Sequence, residues 1–491
     1  MIVRFRSGWG WLAAAAGIAL LCLLPVGALL LKALQGDGML WPHLLRYVLP
    51  PALRDTLLLL GGVGALVIVL GTGSAWLVTA CEFRGRRLFE WALLLPLAVP
   101  TYIMAYAWMD LLHPIGPLQS TLRGLLGLAG PQDLRLPEVR SLGGCVLVLG
   151  FVLYPYVYLT TRAMFLMQAT GLLEAARTLG HGPRATFLRV ALPLARPAIA
   201  VGTALALMEA LNDIGASELL GVRTLTVSIY STWVNRADLA GAAQIALAML
   251  AVVVALLVVE RAARRQQRYA FNAQKSRRMT PERLTGRSAL LVVCALAVPV
   301  LLGFVAPAGY LLAKAIERLS FAGFPPGLVQ ITLDTLQLAA VATVFTLLAA
   351  LTVMYALRLR PGALAAGSER IAMLGYAIPG TVLGIGLLAP LGAADELLAG
   401  VVESFTGKPA GLLLMGTSFA LIYAYCTRFL AVAAGGLEAG FSRITPSLDQ
   451  AGRTLGASAS GVLRRIHLPL LRPALAAAAL LVFVDCMKEL P

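Results

Sequence analysis

Residues 174–198 read EAARTLGHGPRATFLRVALPLARPA, and residues 450–474 read QAGRTLGASASGVLRRIHLPLLRPA. At this offset of 276, Arg177, Thr178, Leu179, Gly180, Leu192, Pro193, Arg196 and Pro197 recur as Arg453, Thr454, Leu455, Gly456, Leu468, Pro469, Arg472 and Pro473. Upstream, at an offset of 279, Asp55-Thr56-Leu57 recurs as Asp334-Thr335-Leu336, and Pro100 as Pro379. One plan is written twice along the chain, and such internal similarity decides a fold before any local pattern does.

The sequence around these copies is apolar. Of its 491 residues 59% are hydrophobic and 13% charged, with a mean hydropathy of +0.83. Soluble domains carry roughly 25% charged residues, so a chain this poor in charge could not cover its surface in water. Collagen-like, disordered and disulfide-scaffold classes are excluded with it. The six cysteines, Cys22, Cys81, Cys145, Cys294, Cys426 and Cys486, fall mostly in apolar runs without C-x-x-C spacing and read as small buried hydrophobes. His43, His113, His181 and His467 lie far apart, so no metal site is expected.

A bilayer core about 30 Å thick takes roughly 20 apolar residues of helix. Non-alternating runs of that length occur near 10–34, 56–80, 92–112, 143–166, 196–215, 241–260, 288–314, 334–357, 371–392, 411–435 and 472–487. The expected fold is all-α and polytopic, with two parallel six-helix repeats. The first run follows Arg4 and Arg6 and lacks a small-residue cleavage site before Lys32, so it reads as an anchor. Every second loop is basic: Arg84, Arg86 and Arg87; then Arg162, Arg177, Arg184, Arg189 and Arg196; then Arg261 to Arg287. Basic loops stay on the cytoplasmic side, which places the N-terminus there. The net charge of +16 is mostly this topology signal and fits anionic lipid better than nucleic acid.

The repeat divides the chain into a first half, 1–260, a basic cytoplasmic linker, 261–287, and a second half, 288–491. Glu209-Ala-Leu-Asn-Asp213-Ile-Gly215 aligns with Asp485-Cys-Met-Lys-Glu489-Leu-Pro491. The first half runs on through a sixth span, so a twelfth helix is expected beyond Pro491. An ionisable residue in a span is a functional candidate by default. Glu209 and Asp213, four apart, are expected on one helix face, some 18 to 24 Å up the fifth span at about 1.5 Å per residue. With Asp485 and Glu489 they would ring a pathway and favour a cation. The plainer alternative has them at the outer interface, solvated or paired with Lys488 and loop arginines. Asp110, near the end of the third run, has no repeat counterpart.

Glu174, Ala175, Ala176, Gly180, Val190, Leu192 and Pro193 spell E-A-A-x3-G-x9-[IV]-x-L-P, and Gln450, Ala451, Gly452, Gly456, Ile466, Leu468 and Pro469 spell it again with two departures. The plain reading is two helix–loop–helix connections, with Gly ending one helix through positive φ and Leu-Pro starting the next. Two copies in the same topological place favour a functional one. The pattern resembles the EAA loop of binding-protein-dependent ABC importer permeases, which implies the type I importer transmembrane fold and coupling helices at 174–188 and 450–464 that enter a separate ATPase. Gln450 and Gly452 depart from the motif, so unequal grip on the ATPases is expected. No G-x-x-x-x-G-K-[ST] occurs, since Gly407-Lys408 is followed by Pro409; the chain is not expected to be an enzyme.

Met487-Lys488-Glu489-Leu490-Pro491 after the second loop, and Asn212-Asp213-Ile214-Gly215-Ala216-Ser217-Glu218 in the first half, narrow the resemblance to the fused ferric iron permeases. That resemblance implies a bacterial inner-membrane protein working by alternating access. Its partners would be two copies of a cytoplasmic ABC ATPase, which uses ATP and Mg, and a periplasmic protein delivering iron(III); no cofactor is bound by this chain. Permeases for thiamine, polyamines, sulfate and phosphonates share the layout. A proton-coupled secondary transporter with two six-span repeats is the alternative of a different class. Gly180→Trp and Gly456→Trp should weaken ATPase co-purification to different extents, and equal losses would remove the expected asymmetry.

Overall fold

The structure, a computed structural model, describes residues 8–35, 41–128, 130–167, 176, 178–180, 182–265, 281–375, 378–409 and 411–490. A single segment in lipid satisfies its backbone polar groups by forming a helix, and that is what the apolar runs do. In chain order the main helices are α1 Trp9–Leu34, α2 Leu49–Ala80, α3 Thr101–Leu111, α4 Leu142–Met167, α5 Leu192–Asn212 and α6 Leu239–Arg265. There follow α7 Gly286–Val300, α8 Ala306–Ala322, α9 Leu328–Leu359, α10 Ala363–Leu374, α11 Gly380–Thr406, α12 Ser418–Phe441, α13 Pro446–Thr454 and α14 Leu468–Lys488. Among the described residues ten helical runs are long and apolar enough to cross a membrane, or eleven if one bent pair is a single span.

The repeat is structural as well as textual. Helices α2 and α9 are both 32 residues long and begin and end 279 residues apart. Helices α5 and α14 are both 21 residues long, at an offset of 276. Pro100 and Pro379 take nearly the same extended conformation, φ −57°, ψ 142° and φ −58°, ψ 143°, and each immediately precedes a helix. The run expected at 92–112 is therefore not one straight helix: Arg86–Ala98 and Thr101–Leu111 are bent by 93°. The run expected at 371–392 is likewise divided, between α10 and α11.

Proline shapes the longer helices too. It offers no N–H and its ring crowds the carbonyl four residues back. At four places the helix widens into a π turn that ends two residues before a proline: Leu44–Val48 before Pro50, Phe187–Ala191 before Pro193, Leu301–Val305 before Pro307, and Leu463–His467 before Pro469. The wider turn makes room for the ring, and the helix continues.

The contact units cut across the expected halves. One comprises Met1–Leu40, Ile229–Leu247 and Phe324–Pro491; the other comprises Trp41–Ser228 and Ala248–Gly323. In the first, α1 lies against α9, α10 and α11, and α9 packs on α12 and α14. In the second, α4 packs on α2 and α5, while α8 lies against α3. There the Trp108 indole donates to the Leu302 carbonyl at 3.2 Å, and the Tyr310 hydroxyl to the Asp110 carboxylate. The linker expected at 261–287 is structured at both ends: α6 runs to Arg265, and Glu282–Arg283 pairs in parallel with Cys81–Glu82.

Two glycines let α2 and α5 close on the same stretch of α4. A Cβ on Gly71 would lie 2.6 Å from Val157 Cβ, and one on Gly202 would lie 2.7 Å from Val157 Cα. Such close backbone approach is what small residues permit between membrane helices. Gly202→Val should therefore destabilise the detergent-solubilised protein by about 1–3 kcal/mol through overpacking. Gly73→Ala, where nothing lies within 4 Å, should leave thermal unfolding unchanged; equal losses would contradict the close approach.

Candidate functional site

Glu174 and Ala175 lie outside the described residues, and Ala176 is buried. Downstream the two loops match. Leu179 and Leu455 are 79% and 87% exposed, and each is followed by a glycine in the left-handed region, Gly180 at φ 83° and Gly456 at φ 82°. A residue with a Cβ is strained there, so glycine at these positions ends the preceding turn.

The expectation that Leu192-Pro193 and Leu468-Pro469 start the next helices is corrected by the structure. Helix begins earlier, at Pro183–Thr186 and Ala459–Val462, and reaches the prolines through the π turns. Ser458 caps the second start, its hydroxyl accepting from Gly461 N–H at 3.1 Å.

In the second copy α13 exposes Leu448, Gln450 and Ala451 and turns Gly452 inward. A Cβ on Gly452 would lie 2.8 Å from Ile466 Cδ1 and 3.1 Å from Val462 Cγ2. By the repeat, Ala176, Val190 and Thr186 stand where Gly452, Ile466 and Val462 do. Glycine in place of Ala at 452 thus leaves room for the larger Ile466 and Val462.

Helix α13 is tied to its unit by charge. Asp449 accepts from Arg358 Nε at 2.8 Å and pairs with His467 Nε2. Arg358 donates further to the carbonyls of Phe441 at 3.0 Å and Ile444 at 2.9 Å, over the Phe441 ring. Burial pushes the Asp449 carboxyl up, but the bonds from Arg358 and His467 outweigh it and hold it below its ordinary value. The other unit has a separate network, in which Glu90 pairs with Arg162 at 3.1 Å and Arg86 at 3.5 Å.

The four candidate carboxylates occupy repeat-related places but not one helix face. Helix α5 ends at Asn212, so Glu209 is helical while Asp213 has left the helix with ψ 108°; Glu489 likewise follows α14 with ψ 117°. Both Glu209 and Asp485 are half-buried. Asp213 accepts from the Thr101 hydroxyl and from Ala216 N–H at 2.8 Å, the latter fastening the turn into Gly215–Leu219. Where Thr101 stands the second half has Gly380. Glu489 pairs instead with Arg428 at 2.9 Å, both nearly buried at 12% and 8% exposure. Asp485 lies 3.5 Å from Lys488. Arg428 and Glu489 line a cavity of about 230 Å³ together with mostly apolar residues such as Leu387, Leu391 and Leu421 of α11 and α12.

Arg428 and Arg358 join the candidate site only in the structure. Both are cations within apolar runs, the signal that singles out intramembrane charges of either sign. Spacing gave no hint that Arg358 and His467, 109 residues apart, share one aspartate.

The family described as the binding-protein-dependent transport system inner membrane component matches residues 68–269. The chain is 24% identical over 448 residues to the Fe(3+)-transport system permease protein FbpB 2 of Haemophilus influenzae, covering 89% of this chain and 79% of that protein. It is 31% identical over 201 residues to the molybdenum transport system permease protein ModB of Escherichia coli K12, covering 40% of this chain and 84% of ModB. It is 29% identical over 209 residues to the probable sulfate transport system permease protein cysT of Nephroselmis olivacea, covering 42% and 70%.

Removing one partner of a buried ion pair costs about 3–5 kcal/mol, more than replacing both. Arg428→Met should therefore lower the unfolding temperature of the detergent-solubilised protein further than Arg428→Met with Glu489→Gln. A double variant no more stable than the single one would contradict the pairing.

Proposed function

From its membership of the binding-protein-dependent transport system inner membrane components, to which this chain belongs, we propose that it is the permease subunit of an ABC importer whose cargo is iron(III). The observation that supports iron is coverage: the Fe(3+) permease of Haemophilus influenzae aligns with 89% of this chain, and so with both halves, whereas ModB aligns with 40%. Iron(III) is the cargo here, delivered by a binding protein. ATP and Mg belong to the ATPase, two copies of which would meet the two repeat-related loops, and the N-terminus lies on the ATPase side.

The loops carry the coupling reading. Leu179 and Leu455 present an apolar side chain beside a helix-ending glycine at the same place in each repeat, the shape a cleft in a partner can grip. Ala176, Gly452, Gln450 and Ala451 form or support that surface; Glu174 and Ala175, outside the described residues, are assigned to the same coupling segment by the motif alone. ATP binding would move each loop with the ATPase subunit it meets and hydrolysis would reset it, so that access alternates between the two sides.

Glu209, Asp213, Asp485 and Glu489 are proposed to line the pathway in modified form. Arg428 and Lys488 offset the charges of Glu489 and Asp485, so the second-half pair is less acidic than its carboxylates alone would make it. That balance favours a second reading, an oxyanion cargo, which the molybdenum and sulfate relatives also support.

Radiolabelled iron(III) uptake in cells with and without the gene separates these readings. Uptake is expected to need the gene and ATP and to survive collapse of the proton gradient. Uptake that follows the gradient would overturn the ABC reading; gene- and ATP-dependent uptake of molybdate or sulfate without iron would replace iron by the oxyanion.

A further inference from the structure

Within the unit that contains α9, α12, α13 and α14, one aspartate gathers three elements. Asp449 belongs to α13, Arg358 to the last turn of α9, and His467 to the π turn that leads into α14. Arg358 donates further to the carbonyls of Phe441, the last residue of α12, and Ile444, within the connection to α13. The fully buried His467 ring meets Tyr355 and Phe441 edge-on, each at 5.6 Å between centroids. Tyr355 donates in turn to the Ala459 carbonyl at 2.6 Å, where the helix restarts after Gly456. Both ends of the exposed loop are thereby fixed to one another through a charged and aromatic cluster.

A surface helix held only by apolar contact can slide or rock without moving its neighbours. An aspartate bonded by a guanidinium and an imidazole from two different elements cannot, because charge-assisted bonds are directional. The exposed side of α13, Leu448, Gln450 and Ala451, is separate from this cluster, so a partner can grip one side while the membrane helices hold the other. The repeat places Thr79, Leu173 and Ala191 at the positions of Arg358, Asp449 and His467. Thr79 bonds within its own helix, to Ala75 and Trp76 carbonyls, and Leu173 lies outside the described residues. The first half carries no charge at any of the three.

We propose that Arg358 and His467 are positioning residues that lock Asp449, and with it α13, to α9 and α14, so that displacement of the second loop by the ATPase passes directly into the membrane helices. This rests on the importer reading above.

The test uses the full chain reconstituted with its ATPase and binding protein in proteoliposomes, reading ATPase retention and ATP hydrolysed per ion imported. Asp449→Asn and Arg358→Gln should keep the ATPase bound yet raise ATP consumed per ion at least about fivefold, the lower end of typical coupling effects. The double variant should lose less than the sum of the two singles, since both remove the shared Arg358–Asp449 contact, and Arg358→Lys should recover part of the coupling. An unchanged ratio, additive losses, or loss of the ATPase itself would overturn the proposal. Should Asp449→Asn fail to fold, Arg358→Lys alone decides: an intermediate ratio is expected, and a wild-type ratio overturns the lock. A wild-type chain that binds no ATPase is a failure of the importer reading and is visible before any variant is compared.

Discussion

A proline within a membrane helix deprives the backbone of one donor where no water can replace it, and this constraint organises the protein. Where the chain needs a bend, as at Pro100 and Pro379, the residue is extended and the helix restarts after it. Where the helix must continue, as at Pro193 and Pro469, a π turn opens just ahead of the ring. Those two π turns lie directly beyond the exposed loops, so the entry to α5 and α14 is shaped by the same residues that give the loops their signature. His467 occupies the last position of its π turn, which is how the turn comes to take part in holding Asp449.

The repeat conserves backbone more strictly than side chains. Asp213 and Glu489 leave their helices in the same conformation, yet one is held by a threonine hydroxyl and a backbone N–H, and the other by a buried arginine. Thr101 is replaced by Gly380, and Arg428 stands where the first half has Val152. A carboxylate in an apolar setting must be satisfied, and the two halves satisfy it by different means. The loops differ in the same way: Gly452 lies against Val462 and Ile466, where the first copy has Ala176, Thr186 and Val190 at the matching positions.

Membership of the two contact units departs from chain order for a physical reason. Helix α1 buries Ala15, Ala19 and Leu29, and the faces it lies against belong to α9, α10 and α11. Helix α8 finds its polar partners on α3, through Asp110 and Tyr310. In each half, then, the opening helix belongs to the unit built mainly from the other half, which a reading of halves along the chain does not anticipate.

The sequence by itself determined the solvent, the helical class, the repeat and the positions of most spans, because each rests on composition or on local periodicity. It also marked Gly180 and Gly456, since only a glycine after a short helix reads so clearly as a stop. Only the tertiary structure decided which helices share a unit, that Asp213 and Glu489 sit beyond their helices, and that Arg358, Asp449 and His467 meet. Those outcomes depend on contacts between residues up to several hundred positions apart, and hydrophobic pattern and spacing carry no record of which buried cation will face which buried carboxylate.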